Sequence, residues 1–163
     1  MKTKEAGELR MPRWEELPSV PQYLDQVLLL VNEWLGPFLS HDGRQVITRT
    51  MVNNYVKLRF LPSPVSRRYD RLAIASLFVI AILKPVYTIE EIAYLIRLSL
   101  GHSERREAYN LFCDYVEEAV FCAFNRTSMK KGQNAGDPRQ SAASVLQDDG
   151  RIKNRLMSRE IGI

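Results

Sequence analysis

The amino-acid sequence predicts an all-α, mainly helical fold that contains at most a short β wing. Apolar residues recur at helical spacing in five segments, and no strand-rich region is visible. One stretch, residues 62–69, starts with two closely spaced prolines that exclude helix and favour an extended chain. With 45% apolar and 26% charged residues, the 163-residue chain is typical of a globular domain with extensions.

Three parts of the chain are expected to behave differently. Residues 1–19 are predicted to be a weakly ordered lead-in, residues 20–125 a helical domain, and residues 126–163 a basic, disordered tail. The lead-in has no apolar h-region, so no secretory signal is expected. Cys113 and Cys122 are expected to be buried on one helix, roughly 13 Å apart and too far to bridge. Unpaired cysteines without an export signal indicate a cytoplasmic protein.

The charges are unevenly distributed along the chain. Residues 1–125 are neutral, and the tail accounts for the whole net charge of +4. Within the neutral part, residues 44–71 hold seven basic residues and one acidic residue, whereas residues 104–118 are acidic. A basic stripe on a neutral domain is typical of a polyanion-binding surface. A solvated loop region produces the same pattern, and charge alone favours neither interpretation.

The first two helices are predicted from their apolar spacing and their end signals. The first runs from about Val20 to Leu35, and Gly36-Pro37 is expected to end it. A polar loop follows. The second helix is short, at about residues 49–58, with Thr48 as its N-cap.

The remaining helices have equally local signals. The most apolar run of the chain predicts a buried core helix over residues 71–84, which Asp70 caps and which is too short to span a membrane. The segment Thr88–Glu91 is a capping box that opens a helix ending near Gly101. A last long helix is predicted over residues 104–124, with a wide apolar stripe that its own core or a partner chain must cover.

The second helix divides into a polar and an apolar arc. Tyr55 lies on the apolar arc and is expected in the core. Arg and Lys side chains pair with phosphate or guanine, and Asn bonds adenine in the major groove. The predicted DNA-binding residues of the polar arc are Arg49, Thr50, Asn53, Asn54 and Lys57.

A short helix, a basic extended segment and two further helices follow one another in the order of a winged helix-turn-helix. On the wing, Arg67, Arg68 and Tyr69 would reach the DNA backbone or minor groove, although packing beneath the wing is an equal expectation for Tyr69. Because one recognition helix reads few base pairs, we expect a homodimer on double-stranded DNA. The helix over residues 104–124 is the candidate dimer element, and packing into its own core is the alternative.

The blocks TMVNNYVKLRFLPSPVSRRY, IASLFVIAILK and YTIEEIAYLI resemble the bacterial domain-of-unknown-function family 1836. YLDQVLLLVNEWL and LFCDYVEEA extend this resemblance, which covers roughly residues 18–124. More distantly, Asn54-Tyr55, Leu61-Pro62 and Arg68-Tyr69 are similar to the recognition helix and wing of MerR regulators. These resemblances imply a transcriptional regulator with a MerR-like winged helix-turn-helix, without indicating its operator or effector.

The sequence departs from those family patterns at two positions. Arg59 stands where both prefer glycine, at a helix C-cap whose left-handed conformation costs another residue about 1 kcal/mol. Either Arg59 accepts that strain or the helix ends differently, and its side chain could add a phosphate contact. Asn54 replaces the first tyrosine of the MerR pair, so contacts known for MerR proteins transfer poorly there.

No catalytic set is visible, so the chain is not expected to be an enzyme. His41 and His102 have no companion ligand at metal-binding spacing, and no metal or cofactor is predicted. The main alternative to DNA binding is a non-catalytic adaptor that binds other proteins on the same fold. A small-molecule sensor is a third alternative, supported by the MerR analogy alone.

Overall fold

The structure, a computed structural model, describes residues 9–40 and 42–131, of which residues 126–131 are described as backbone only. The expectations for residues 1–8, for His41 and for the tail beyond Lys131 lie outside this range. The elements in chain order are a short 3-10 helix (Trp14–Glu16), β1 (Gln22–Tyr23), α1 (Leu24–Leu39), α2 (Arg49–Lys57), β2 (Arg68–Tyr69), α3 (Arg71–Leu83), α4 (Ile89–His102) and α5 (Arg105–Lys131). The all-α class with a short β element is therefore confirmed.

The chain divides into two compact units. Glu8–Glu118 contains every element up to and including the first half of α5. The second unit comprises Met1–Gly7 and Ala119–Ile163, and its described part is the C-terminal half of α5.

Helix α3 forms the centre of the first unit. Eight of its thirteen residues are buried, and it contacts α1, α4 and β2. Because apolar residues occupy all sides of this helix, it is stable only where neighbouring elements cover most of its surface. Its prediction as a buried core helix is confirmed, and none of the helices described here is long and apolar enough to cross a membrane.

The predicted N-caps are confirmed. The side chain of Thr48 accepts a hydrogen bond from Met51 N at 3.3 Å, and Asp70 accepts one from Ala73 N at 2.8 Å. Thr88 and Glu91 form the predicted capping box, in which Glu91 also accepts from Thr88 N at 2.9 Å. These caps satisfy amide groups that have no partner within the helix.

Both predicted ends of the first helix are wrong. Residues 22–23 form β1, which pairs antiparallel with β2, so α1 begins only at Leu24. At the other end Pro37 removes one helix hydrogen bond. The helix nevertheless continues to Leu39, because Ser40 N donates to Gly36 O at 2.9 Å and closes the last turn.

Part of the predicted lead-in packs on the N-terminal half of α5. Leu9, Met11 and Leu17 are buried. Met11 N donates to a carboxylate oxygen of Glu117 at 2.7 Å, and the Arg13 guanidinium pairs with the same carboxylate at 2.7 Å. The backbone from residue 9 to residue 17 is thus held by specific contacts, which composition alone did not indicate.

The last helix is longer than predicted and continues past Phe124 to Lys131. Cys113 is buried as expected, whereas the prediction of burial is wrong for Cys122, which is exposed.

Candidate nucleic-acid interface

The outer face of α2 is polar and exposed. All five residues of the predicted polar arc are exposed, whereas Val52 and Tyr55 are buried on the other side. The Tyr55 hydroxyl is enclosed and has no hydrogen-bond partner among the described residues, and burial raises its pKa. Tyr55 is therefore a core residue, as its position on the apolar arc predicted.

A shallow, open depression runs along this outer face. Thr50, Asn53, Asn54 and Lys57 line it together with Met51. The surface offers two amides, a hydroxyl and an ammonium group, and no acidic residue occurs in α2. Such a set can donate to phosphate oxygens and can make the paired donor and acceptor contacts that base edges require.

The C-terminus of α2 has the geometry of a Schellman motif. Leu58 is the C-cap, and Arg59, the residue after it, adopts the left-handed conformation with φ of 60°. Arg59 N donates to Val56 O at 3.0 Å, and Phe60 N donates to Tyr55 O at 2.9 Å. These are the two bonds that define the motif, so of the two alternatives expected for Arg59 the structure has the one in which it accepts the backbone strain. Its exposed side chain lies at the opposite end of α2 from Arg49.

The predicted wing is a minimal hairpin. Val65 and Arg68 exchange backbone hydrogen bonds of 3.1 and 2.9 Å around a two-residue turn. Ser66 and Arg67, the two central residues, have φ of 50° and 64°. Positive φ at both central positions is characteristic of a type I′ turn, which matches the twist of the flanking strands. The turn thus holds Arg67 exposed at its tip.

Beyond the turn, β2 presents one predicted site residue and buries another. The Arg68 guanidinium lies 4.9 Å from the centre of the Tyr23 ring and donates to its hydroxyl at 3.1 Å. Tyr69 points the other way and is 4% exposed. Burial raises the pKa of the Tyr69 hydroxyl, and Arg49 opposes this shift. Tyr69 therefore packs beneath the wing, which was one of its two expected placements.

Arg49, the first residue of α2, forms an ion pair with Asp25 in the first turn of α1. Both side chains are largely exposed, at 56% for Arg49 and 79% for Asp25. The predicted phosphate-binding arginine thus has an acidic partner in the free protein. This pair could not be predicted from the sequence, because residues 25 and 49 belong to different helices.

Asn32 positions the segment that leads into α2. Its side-chain oxygen accepts from Val46 N at 2.7 Å and from Ile47 N at 3.2 Å. Its amide nitrogen donates to Ile47 O at 2.9 Å and to Leu28 O at 2.8 Å. A polar residue within the apolar stripe of α1 is the sequence signal that could have identified it.

The junction of β1 and α1 contacts predicted site residues on both α2 and β2, because α1 packs against both elements. Tyr23 accepts a hydrogen bond from Arg68, and Asp25 forms an ion pair with Arg49.

Within the described part of the chain, no group of three or more His, Cys, Asp and Glu side chains is arranged to hold a metal ion.

Among the comparisons with known proteins, one family model matches the chain. The family model described as domain of unknown function, DUF1836, matches residues 12–115. Searches of curated proteins and of solved structures gave no match. The match covers more than half of the chain and includes α1 to α4, and the chain therefore belongs to the DUF1836 family.

Proposed function

We propose that this protein is a non-catalytic transcriptional regulator that binds duplex DNA through α2 and the wing, residues 62–69. The observation that carries the proposal is the outer face of α2, which is exposed, free of acidic residues and made of Arg, Lys, Asn and Thr side chains. An α-helix with its side chains is about 10–12 Å across, which suits insertion into a major groove about 12 Å wide. The cytoplasm is the compartment in which it would meet DNA.

The proposed division of roles follows from side-chain chemistry. Arg49 and Lys57, at the two ends of α2, would contact phosphates, together with Arg67 at the tip of the turn. Asn53 and Asn54 between them would read base edges. The succession of helix, turn and two further helices supports a MerR-like docking mode, in which the wing reaches the backbone beside the groove.

Binding of labelled duplex fragments over a series of salt concentrations tests the proposal. We expect the logarithm of the affinity to fall linearly with the logarithm of salt concentration. The double substitution Arg49→Ala and Lys57→Ala should weaken binding at least tenfold and reduce the magnitude of the slope by at least about 0.9, the contribution of one lost phosphate contact.

The matched control is Arg10→Ala with Arg97→Ala, which removes the same charge from exposed positions outside α2, the wing and the proposed dimer helix. The DNA affinity of this control should change less than threefold, because salt screens charges that lie far from the bound DNA. Affinity that does not depend on salt, or equal losses in both double variants, would contradict DNA binding through α2.

We further propose that the protein acts as a homodimer through residues 104–124 of α5. Leu111 and Tyr115 are exposed at 49% and 45%, and their spacing of four places them on one side of the helix. Leu111→Glu with Tyr115→Glu should convert a dimer to a monomer in sedimentation equilibrium. The adaptor function is favoured if the unaltered protein is a monomer and binds a different protein through Leu111 and Tyr115, so that the double variant no longer binds that protein.

A further inference from the structure

We propose that Asp25 is an internal competitor for the phosphate group that Arg49 would bind, and that its carboxylate thereby limits the affinity of the interface for DNA. This role of Asp25 rests on the function proposed above, because it requires a surface that binds duplex DNA. Its own contribution is to set how strongly that surface binds and how steeply binding depends on salt.

The two groups meet where α1 and α2 begin. Asp25 is the second residue of α1, Arg49 is the first residue of α2, and their side chains form an ion pair. At 79% and 56% exposure, both partners remain open to solvent and to an incoming ligand. Exposed ion pairs of this kind contribute little to stability and exchange readily. The pair therefore neutralises Arg49 in the free protein without locking it.

The neighbouring arginine is held in a different way. Tyr23, two residues before Asp25, orients the Arg68 guanidinium by a hydrogen bond of 3.1 Å and by its ring face. A neutral phenol leaves the charge of Arg68 uncompensated, whereas the Asp25 carboxylate compensates that of Arg49. The same short junction thus orients two arginines but reduces the positive potential at only one of them.

A carboxylate and a phosphate oxygen make the same kind of charge-assisted hydrogen bond to a guanidinium. A DNA phosphate that binds Arg49 must therefore displace Asp25, and the released carboxylate is left close to the negative DNA backbone. This cost is absent when residue 25 is neutral. We expect Asp25→Asn to bind duplex DNA roughly two- to fivefold more tightly, the range that corresponds to a surface ion pair.

The salt dependence gives a second readout that a purely structural effect would not change. In the unaltered protein, the counterion released from phosphate by Arg49 is offset by a cation that gathers at the freed Asp25. Without that carboxylate the release is not offset. The slope of log affinity against log salt should become steeper by about 0.9 in Asp25→Asn.

The experiment measures binding of labelled mixed-sequence duplexes by the full chain, using Asp25→Asn and the control Glu33→Gln. Glu33 is exposed on the same helix, so its substitution changes the net charge equally without affecting Arg49. Each variant is also combined with Arg49→Ala. The gain of Asp25→Asn over Glu33→Gln should vanish in that background, because there is then no guanidinium to release.

The outcomes separate this role from the proposed function. If Arg49→Ala weakens DNA binding but Asp25→Asn binds no more tightly than Glu33→Gln, the role of Asp25 is overturned and DNA binding stands. A gain that persists in the Arg49→Ala background also overturns it. If neither the unaltered protein nor any variant binds duplex DNA at low salt, the proposed function fails and the role of Asp25 fails with it.

Discussion

Asn32 bonds both backbone groups of Ile47, fifteen residues further along the chain, accepting from its N–H at 3.2 Å and donating to its carbonyl at 2.9 Å. The Asn32 side-chain amide thus satisfies both backbone groups of Ile47, as a paired strand would in a sheet. Ile47 is fully buried and comes directly before Thr48, the N-cap of α2. The position of the proposed recognition helix therefore depends on one amide in α1.

Replacement of Asn32 by Ala should lower the free energy of unfolding by about 2 kcal/mol, because backbone groups of the loop lose their partners. The measurement is urea denaturation followed by circular dichroism. Glu33→Ala, at the adjacent exposed position, should change stability by less than about 0.5 kcal/mol. Hydrogen exchange of the first amides of α2 should accelerate in Asn32→Ala alone, and equal exchange in both variants would contradict this role.

Arg59→Gly should stabilise the protein by about 1 kcal/mol, because glycine adopts φ of 60° without the steric cost that a Cβ atom imposes. Arg59→Ala removes the same charge but keeps the Cβ atom, so it should give no such gain. The denaturant midpoints of the two variants measure the difference. A loss of stability in Arg59→Gly would mean that the side chain itself supports the fold.

The two cysteines should differ sharply in reactivity. In the native protein a thiol reagent should modify Cys122, which is exposed, and spare Cys113, which is fully buried and whose pKa burial raises. Titration with a chromogenic disulfide should therefore give one fast equivalent, and a second after unfolding. Cys122→Ser should abolish the fast phase and Cys113→Ser should retain it. The reverse pattern would contradict the burial of Cys113 and the exposure of Cys122.

Alkaline pH should destabilise the protein through its buried tyrosines. Burial raises the pKa values of Tyr109, Tyr55 and Tyr69 in the folded state above the ordinary value of about 10. Their contribution to stability is complete below that pH and is lost as pH rises toward the folded-state values. Between pH 10 and its own folded-state pKa, each buried tyrosine should lower the free energy of unfolding by at most about 1.4 kcal/mol per pH unit.

Absorbance at alkaline pH gives a direct check, because ionised tyrosine absorbs at longer wavelength. In the folded protein these three of the seven tyrosines should resist ionisation near pH 10, where tyrosines of the unfolded chain titrate. Tyr109→Phe should reduce the loss of stability above pH 10. Simultaneous ionisation of all seven tyrosines while the fold persists would contradict their burial.

Several features followed from the sequence because they depend on a few neighbouring residues. Thr48, Asp70 and Thr88 cap helices through bonds that span three positions. The run over α3 is apolar on every side, so it had to be buried. The division of α2 into two arcs follows from helical periodicity, whereas the sequence left two alternatives for the backbone of Arg59.

Only the tertiary structure decided which distant groups meet. The pairing of Gln22 with Tyr69 turned a predicted helix start into a strand, since hydrogen bonds across the sheet replaced local ones. The ion pair of Asp25 with Arg49 likewise depends on how α1 packs against α2. Periodicity determines which side of each helix is buried, whereas the partner of an exposed charge is determined by the packing of whole elements. The sequence therefore predicted the polar face of α2, but not the carboxylate that already pairs with its first arginine.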